Sequence, residues 1–304
     1  MSKQFTLVQL RYFRVVAQLE NMTAAAAALN VTQSTLSSAI AQLEKEMGSE
    51  LFVRLPRRGL RLTAAGRRLF RGCQVVLEEA EQLYRSVHDE DAHLVGELVV
   101  GVFSPLAPFR AAVILQHFEA AHPEVDVTFL EGDQESLRLA LEEGRCELAL
   151  MYDLGLGPDL ERQVVERVPP HVIVAADHPL ASSPEREVSL HQLADEPFIL
   201  LDLPHTREYL LGLFRLAGVK PTIRHRASGY ETVRSFVARG HGYSVLNQRL
   251  HHDLTYAGGR VVPLRIVEDL PGIEVLLVRP AGARPTAKST AFIEVTRRLY
   301  GVAG

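Results

Sequence analysis

The chain has 304 residues, 47% of them hydrophobic and 23% charged, with two cysteines and a formal net charge of −4. That length predicts about two domains with cores of their own. No apolar run approaches the roughly 18 residues of a membrane span, no basic-then-apolar leader opens the chain, and Cys73 and Cys146 form no metal or redox spacing. The expectation is a cytoplasmic protein with no metal, no cofactor and no membrane contact. The charge is unevenly spread. Up to Gly72 eleven Lys and Arg stand against four Glu, so the head carries +7 and the remainder −11. A basic head on an acidic body points to nucleic acid at one end and a different partner at the other.

Leu7, Leu10, Phe13 and Ala17 mark an opening helix. Residues 23–48, TAAAAALNVTQSTLSSAIAQLEKEMG, read as two helices joined at Asn30 and Val31. In the first, Ala24, Ala27 and Ala28 have the spacing of one buried face, with methyl groups that allow close approach. Thr32 suits the N-cap of the second, on which Leu36, Ile40, Leu43 and Met47 should face inward. Its other side carries Gln33, Ser34, Thr35, Ser37, Ser38, Ala41, Gln42 and Lys45. Small hydroxyls and amides there fit a surface that enters a DNA groove, where they can meet phosphates and base edges. This is a helix-turn-helix pattern with residues 32–48 as the recognition helix; an ordinary helical hairpin is the competing reading.

Residues 51–53 and 60–62 read as a short hairpin with Pro56, Arg57, Arg58 and Gly59 at its tip. Beside a recognition helix it makes a wing for phosphates or the minor groove, or else a solvated turn. Arg54 fits a phosphate contact or a structural ion pair. Thr63 then caps a helix to about His88, on which Leu69, Cys73, Val76, Ala80, Leu83 and Val87 step by fours and threes as in a coiled-coil seam between two chains. Cys73 on that seam reads as a small hydrophobe. Asp89, Glu90, Asp91 and His93 look like a polar hinge. From Gly96 the pattern alternates: strands at 97–103, 125–130, 147–152, 171–176, 198–201, 222–227, 243–246 and 273–279, with helices at 106–121, 134–143, 207–217, 231–239 and 287–300. Such alternation predicts a parallel sheet covered by helices.

The head resembles the LysR-type transcriptional regulators. LxxLRYFxxVAQ at 7–18, TAAAAALNVTQSTLSSAIAQLEKEMGSELFVR at 23–54 and RLTAAG at 61–66 carry the resemblance. Weaker echoes follow in EGxxESLxxALEEGRCELALMY at 131–152, HPLA at 178–181 and VxxFVARGHGYSVLN at 233–247. Two recognition-helix positions that are often proline and arginine in that family are Ser34 and Ser38 here. The resemblance implies an all-α winged helix-turn-helix domain at 1–62 and a dimerising linker helix at 63–89. A two-lobed α/β effector domain similar to periplasmic binding proteins would follow at 90–304, with lobe I at about 96–159 and 270–304 and lobe II at about 160–269. It also implies a homodimer, commonly a homotetramer, on double-stranded DNA, a small-molecule effector between the lobes, and RNA polymerase as a further partner. DNA contacts would fall on Gln33, Ser34, Thr35, Ser37 and Ser38.

In open α/β sheets ligands sit beyond the carboxyl ends of the strands. Ser104 as N-cap and Pro105 as first helical residue lie there, as do Asp133 and Gln134 after the next strand. From the second lobe come Leu203, His205 and Thr206, with Tyr152 and Tyr230 on the hinge side. Asp133 reads either as an inward acid or as the cap of its own helix. An enzyme is the weaker alternative, since there is no GxSxG, P-loop or metal-ligand cluster. A solute-binding protein would leave the basic head unexplained.

Overall fold

The computed structural model describes residues 5–55, 59–86 and 93–301. Helix α1 (Leu7–Leu19) begins with a capping box in which Thr6 and Gln9 satisfy each other's backbone amides. It buries Leu10, Phe13 and Val16, while Leu7 faces solvent. Helix α2 (Met22–Ala28) is capped by Asn21, not entered at Thr23, and buries Ala25 and Ala26. Ala24, Ala27 and Ala28 are exposed, a correction to the face expected from sequence. A run of alanines carries no polar contrast, so its phase is set by the cap and by neighbouring Met22 and Leu29.

Asn30, in the left-handed region at φ 53°, turns the chain into α3 (Gln33–Met47). Thr32 caps it, and Leu36, Ile40 and Leu43 are buried, with Met47 half-buried. Glu44 then accepts from the amides of Leu51 and Phe52 at 2.7 and 3.3 Å, tying the recognition helix to the hairpin of β1 (Phe52–Leu55) and β2 (Gly59–Leu62). The head is therefore all-α only apart from this hairpin. Its core closes with Phe13 against Phe52 and Phe70, ring centroids 5.3 and 6.5 Å apart.

Helix α4 (Ala64–Ser86) starts under the Thr63 hydroxyl, which accepts from Gly66 N–H at 2.9 Å. Phe70, Cys73 and Leu77 pack into the head's own core. Cys73 thus belongs to the head and not to the open seam, a correction to its expected place, and Leu69 is partly drawn the same way. Val76 and Leu83 are exposed and Ala80 half-buried; Val87 and the acidic run 89–91 lie outside the described residues. Burial pushes both thiols, Cys73 and Cys146, up to about 12, so neither is a ready thiolate.

The body has two lobes. In the first, β3 (Gly96–Phe103), β4 (Val125–Gly132) and β5 (Leu148–Tyr152) run parallel, covered by α5 (Ala107–Ala121) and α6 (Gln134–Glu143). The sheet is not parallel throughout. β6 (Leu160–Val168) enters it on the far side, and the late β13 (Ile273–Pro280) lies antiparallel between it and β5, giving the order β4-β3-β5-β13-β6. β6 was not expected, because its apolar residues are interleaved with Glu161, Arg162, Glu166 and Arg167, and it moves the lobe boundary from about 160 to the Pro169–Pro170 crossing.

The second lobe comprises β7 (His171–Ala175), β8 (Glu187–Val188), β9 (Pro197–Leu201), α7 (Thr206–Leu216), β10 (Thr222–Ala227), α8 (Tyr230–Ala238), β11 (Ser244–Leu246) and β12 (Val261–Ile266). Its sheet is mixed, β11-β7-β12-β8, beside the parallel pair β9–β10. Phe198, Phe214 and Tyr243 form its aromatic centre, with Phe198 4.9 and 5.3 Å from the other two. The chain returns through β13 (Ile273–Pro280) and ends with α9 (Ala287–Tyr300), whose Phe292 packs on Phe118 at 5.4 Å.

His171 sits where the chain enters the second lobe, between Leu246 and Arg265. Loss of hydration, with Arg249 and Arg234 nearby, pushes its pKa down to about 4. An unfolded imidazole titrates near ~6.5, so on acidification the unfolded state takes the proton first and stability falls between those two pH values. Thermal unfolding followed across that window should show the decline, and His171→Gln should flatten it.

Candidate DNA-binding and effector sites

The outward side of α3 presents Gln33, Ser34, Thr35 and Ser38 to solvent, with Ser37 half-buried. The Thr32 hydroxyl accepts from Thr35 N–H at 3.1 Å and lies 2.9 and 2.8 Å from the Ser34 and Thr35 hydroxyls. The Thr23 hydroxyl reaches Gln33 Oε1 at 3.5 Å, orienting the first residue of the helix from the helix before it. No acid occupies the first turn of α3, so nothing there opposes a phosphate at the positive end of the helix dipole. Arg54 lies on β1 opposite Leu60; its side chain, and all of Arg57 and Arg58, lie outside the described residues.

In the body, the elements that meet between the lobes are fixed by contacts from both sides. Phe109 on α5 stands edge-on to Tyr230 at the start of α8, centroids 5.3 Å apart. Tyr152, at the end of β5, accepts from Gln248 Nε2 at 3.0 Å, and the Tyr230 hydroxyl donates to the Gln248 carbonyl. Burial raises the pKa of both phenols, which keeps them protonated. Asn247 Nδ2 donates to the Tyr209 hydroxyl at 2.9 Å and to Val168 O at 3.2 Å. At Gly155, after β5, a side-chain carbon would lie 2.4 Å from the His205 ring. Only glycine fits beneath that imidazole, and its φ of +65° favours glycine as well.

Several expected site residues take other roles. Ser104 does not cap α5; its hydroxyl and amide both donate to Gly132 O, at 3.2 and 2.9 Å. The helix begins two residues beyond Pro105, at Ala107, after a tight turn in which Leu106 N–H meets Phe103 O. Asp133 caps α6 through Ser136 N–H at 2.7 Å, its structural alternative. Gln134 is buried and fully engaged. It donates to the carbonyls of Tyr152 and Leu154 and accepts from Tyr152 N–H, which makes it a brace for the end of β5. Leu203 packs against the cores of both lobes. His205 holds the N-cap position of α7 in the left-handed region, and Thr206 is the first helical residue. Phe109, Asn247 and Gln248 were not expected; Asn247 stood inside a recognised motif, but nothing local marked its reach to Tyr209.

The helix starts divide into two groups. Side chains cap α1, α2, α3, α6 and α9, and Thr63 serves α4. None caps α5, α7 or α8. These three follow the carboxyl ends of β3, β9 and β10, where ligands of α/β sheets bind. Thr206, 4% exposed, adds a buried hydroxyl with no partner.

The family model described as LysR substrate binding domain matches residues 91–300, and that described as bacterial regulatory helix-turn-helix protein, lysR family, matches 7–67. The chain belongs to the LysR family. It is a DNA-binding transcriptional regulator with an effector-binding domain. An uncharacterized HTH-type transcriptional regulator of Escherichia coli (strain K12), YnfL, is 34% identical over 249 residues, which is 79% of this chain and 81% of that one. Among solved structures, the LysR family transcriptional regulator HinK from Pseudomonas aeruginosa is 29% identical with a TM-score of 0.65, covering 98% of this chain and 99% of its own. A full-length OxyR from the same species is 25% identical with a TM-score of 0.74, over 97% and 95%. As in other LysR regulators, DNA, a small-molecule effector and further copies of the chain are the partners. No helix among the described residues is long and apolar enough to cross a membrane.

Because the Thr206 hydroxyl has no partner, Thr206→Val removes no hydrogen bond and keeps the volume close to constant. The variant should melt at or slightly above the parent temperature by calorimetry; a loss of more than ~1 kcal/mol would mean that the hydroxyl is satisfied in solution.

Proposed function

We propose that this LysR regulator reads its operator through Gln33, Ser34, Thr35, Ser37 and Ser38, with Thr32 setting the helix start and Arg54, Arg57 and Arg58 of the wing meeting phosphates. The observation that carries this reading is the α3 face itself: slim, hydroxyl-rich, free of acid in its first turn, and the most exposed side of a helix otherwise held by the head's core. Ser34 and Ser38 replace the residues usual in the family, so the base preference is this chain's own. In a binding assay against operator and random duplex, Ser34→Ala should cost the operator several-fold and the random sequence little, because a base-edge contact discriminates by about 1–3 kcal/mol whereas a phosphate contact does not. Equal loss on both duplexes would assign Ser34 to the backbone instead.

The effector lies between the lobes. The three helix starts without side-chain caps support this, two of them carrying contacts across the body: Tyr230 at the start of α8 meets Phe109 of α5, and His205 at the start of α7 meets Gly155 after β5. A ligand there would carry at least one carboxylate or comparable acceptor for the helix ends and the Thr206 hydroxyl, and a flat face for Phe109 and the tyrosines. Asp133 is occupied as a cap and adds no preference for an amine. Ligand contacts to both lobes favour one closure state, and only that difference in affinity shifts the equilibrium.

Two linker helices pair along Leu69, Val76, Ala80, Leu83 and Val87, and two such dimers form a tetramer in the cytoplasm that engages RNA polymerase from its promoter site. Val76, 43% exposed on the single chain, lies on that stripe and outside the head's core. Val76→Asp should place a charge between the helices and separate them. Sedimentation should show the lighter species and operator affinity should fall with it; an unchanged assembly would put the pairing surface elsewhere.

A further inference from the structure

Among the described residues, the linker helix bonds to the body at the ends of two body helices. At the carboxyl end of α6, the Arg71 guanidinium donates to Glu142 O at 3.4 Å. Beside it the Phe70 ring lies so close to Gly144 that a side-chain carbon there would sit 2.5 Å from it. Gly144 is the left-handed C-cap of α6, φ +76°. At the amino end of α9, Glu78 Oε1 accepts from Lys288 N–H at 3.4 Å and lies 3.6 Å from Lys288 Nζ, with both side chains nearly buried at 11% and 13% exposure. The other oxygen, Glu78 Oε2, is buried without a partner, so the carboxylate holds α9 through Oε1.

The signs match the helix dipoles. A cation meets the negative end of α6 and an anion meets the positive end of α9. Arg71 and Glu78 are seven residues apart, so they lie on one side of α4 about 10 Å from each other. The two body helices are themselves fixed. Glu147 accepts from the hydroxyls of Thr286 and Ser289 at 2.6 and 2.7 Å, anchoring the first turn of α9 to the start of β5. Gln134, at the opposite end of α6, braces the end of β5 between the lobes. α6 is a rod of ten residues, about 15 Å long. One of its ends is held to Tyr152, which bonds Gln248 of the second lobe, and the other lies against the linker helix.

We propose that Arg71 and Glu78 are positioning residues that seat the linker helix on the first lobe through the ends of α6 and α9, fixing the orientation of the DNA-binding head relative to the body. Movement of α6 at the cleft then reaches the head through Phe70 and Arg71; this coupling rests on the cleft reading above, whereas the seating does not.

The test uses the full-length chain carrying Glu78→Gln, which keeps shape and removes charge, and separately Arg71→Gln. Hydrogen exchange should show the amides at Lys288 and Ser289 opening about threefold faster in Glu78→Gln, with the amides of β5 unchanged as evidence of an intact fold. Binding to the operator is then compared with binding to a version whose half-sites are moved apart by half a helical turn, about 5 base pairs. The parent should reject the respaced duplex. Either variant should lose about threefold of that discrimination while its isolated half-site affinity stays the same. Unchanged exchange at Lys288, or unchanged discrimination between the two spacings, overturns the proposal. Neither readout needs an effector, so the absence of a cleft ligand would leave the seating result standing and remove only the coupling.

Discussion

One helix has to satisfy three surfaces at once. On α4, Phe70, Cys73 and Leu77 complete the core of the head. Arg71 and Glu78 lie against the body, and Val76 points out of both. An α-helix of 23 residues offers a little over three residues per turn, so each surface receives about one residue per turn and none can be moved without moving the others. That constraint explains why the linker is continuous with the head's core and is not a flexible tether. It also explains the burial of Cys73. The residue is small, its Sγ donates to Phe70 O one turn back at 3.2 Å, and it is too dry to ionise.

The body solves a different problem, keeping two lobes distinct but in register. The chain crosses between them at 169–170 and again at 267–272, and the crossings are braced by side chains from both sides. Gln134 fixes the end of β5, Gln248 joins Tyr152 to Tyr230, and Asn247 joins Tyr209 to Val168. Amides suit this work because each offers a donor and an acceptor on one short stem. They hold geometry without adding charge of their own to the region between the lobes.

Much of this was legible in the residues, for reasons that differ by element. The phase of α3 could be read because Leu36, Ile40 and Leu43 contrast with Ser34 and Ser38. The phase of α2 could not, because every candidate was alanine. The Ser104–Pro105 pair has the composition of a helix start, yet the turn at Phe103–Leu106 intervenes, and a turn of four residues has no periodicity to betray it. Asp133 and Gln134 were placed correctly at the end of a strand, but which way each side chain works depends on Ser136 and Tyr152, one local and one eighteen residues away. β6 and β12 are strands whose partner comes from distant sequence. Their alternation is imperfect because β6 mixes Arg and Glu into its pattern and β12 contains Pro263.

The position of β13 has a consequence for how the protein is made. This strand lies inside the first lobe's sheet, between β5 and β6, although it is translated after the whole second lobe. A nascent chain that has not yet emerged beyond Leu270 therefore exposes two unpaired strand edges, Leu148–Tyr152 and Leu160–Val168, with nothing between them. The head, all of whose core comes from the first 77 residues, can close early on the ribosome, while the first lobe must wait and the second lobe completes inside it. Chains truncated before β13 should carry a folded DNA-binding head on an aggregation-prone body, and dominant effects of such fragments would follow from the order of synthesis alone.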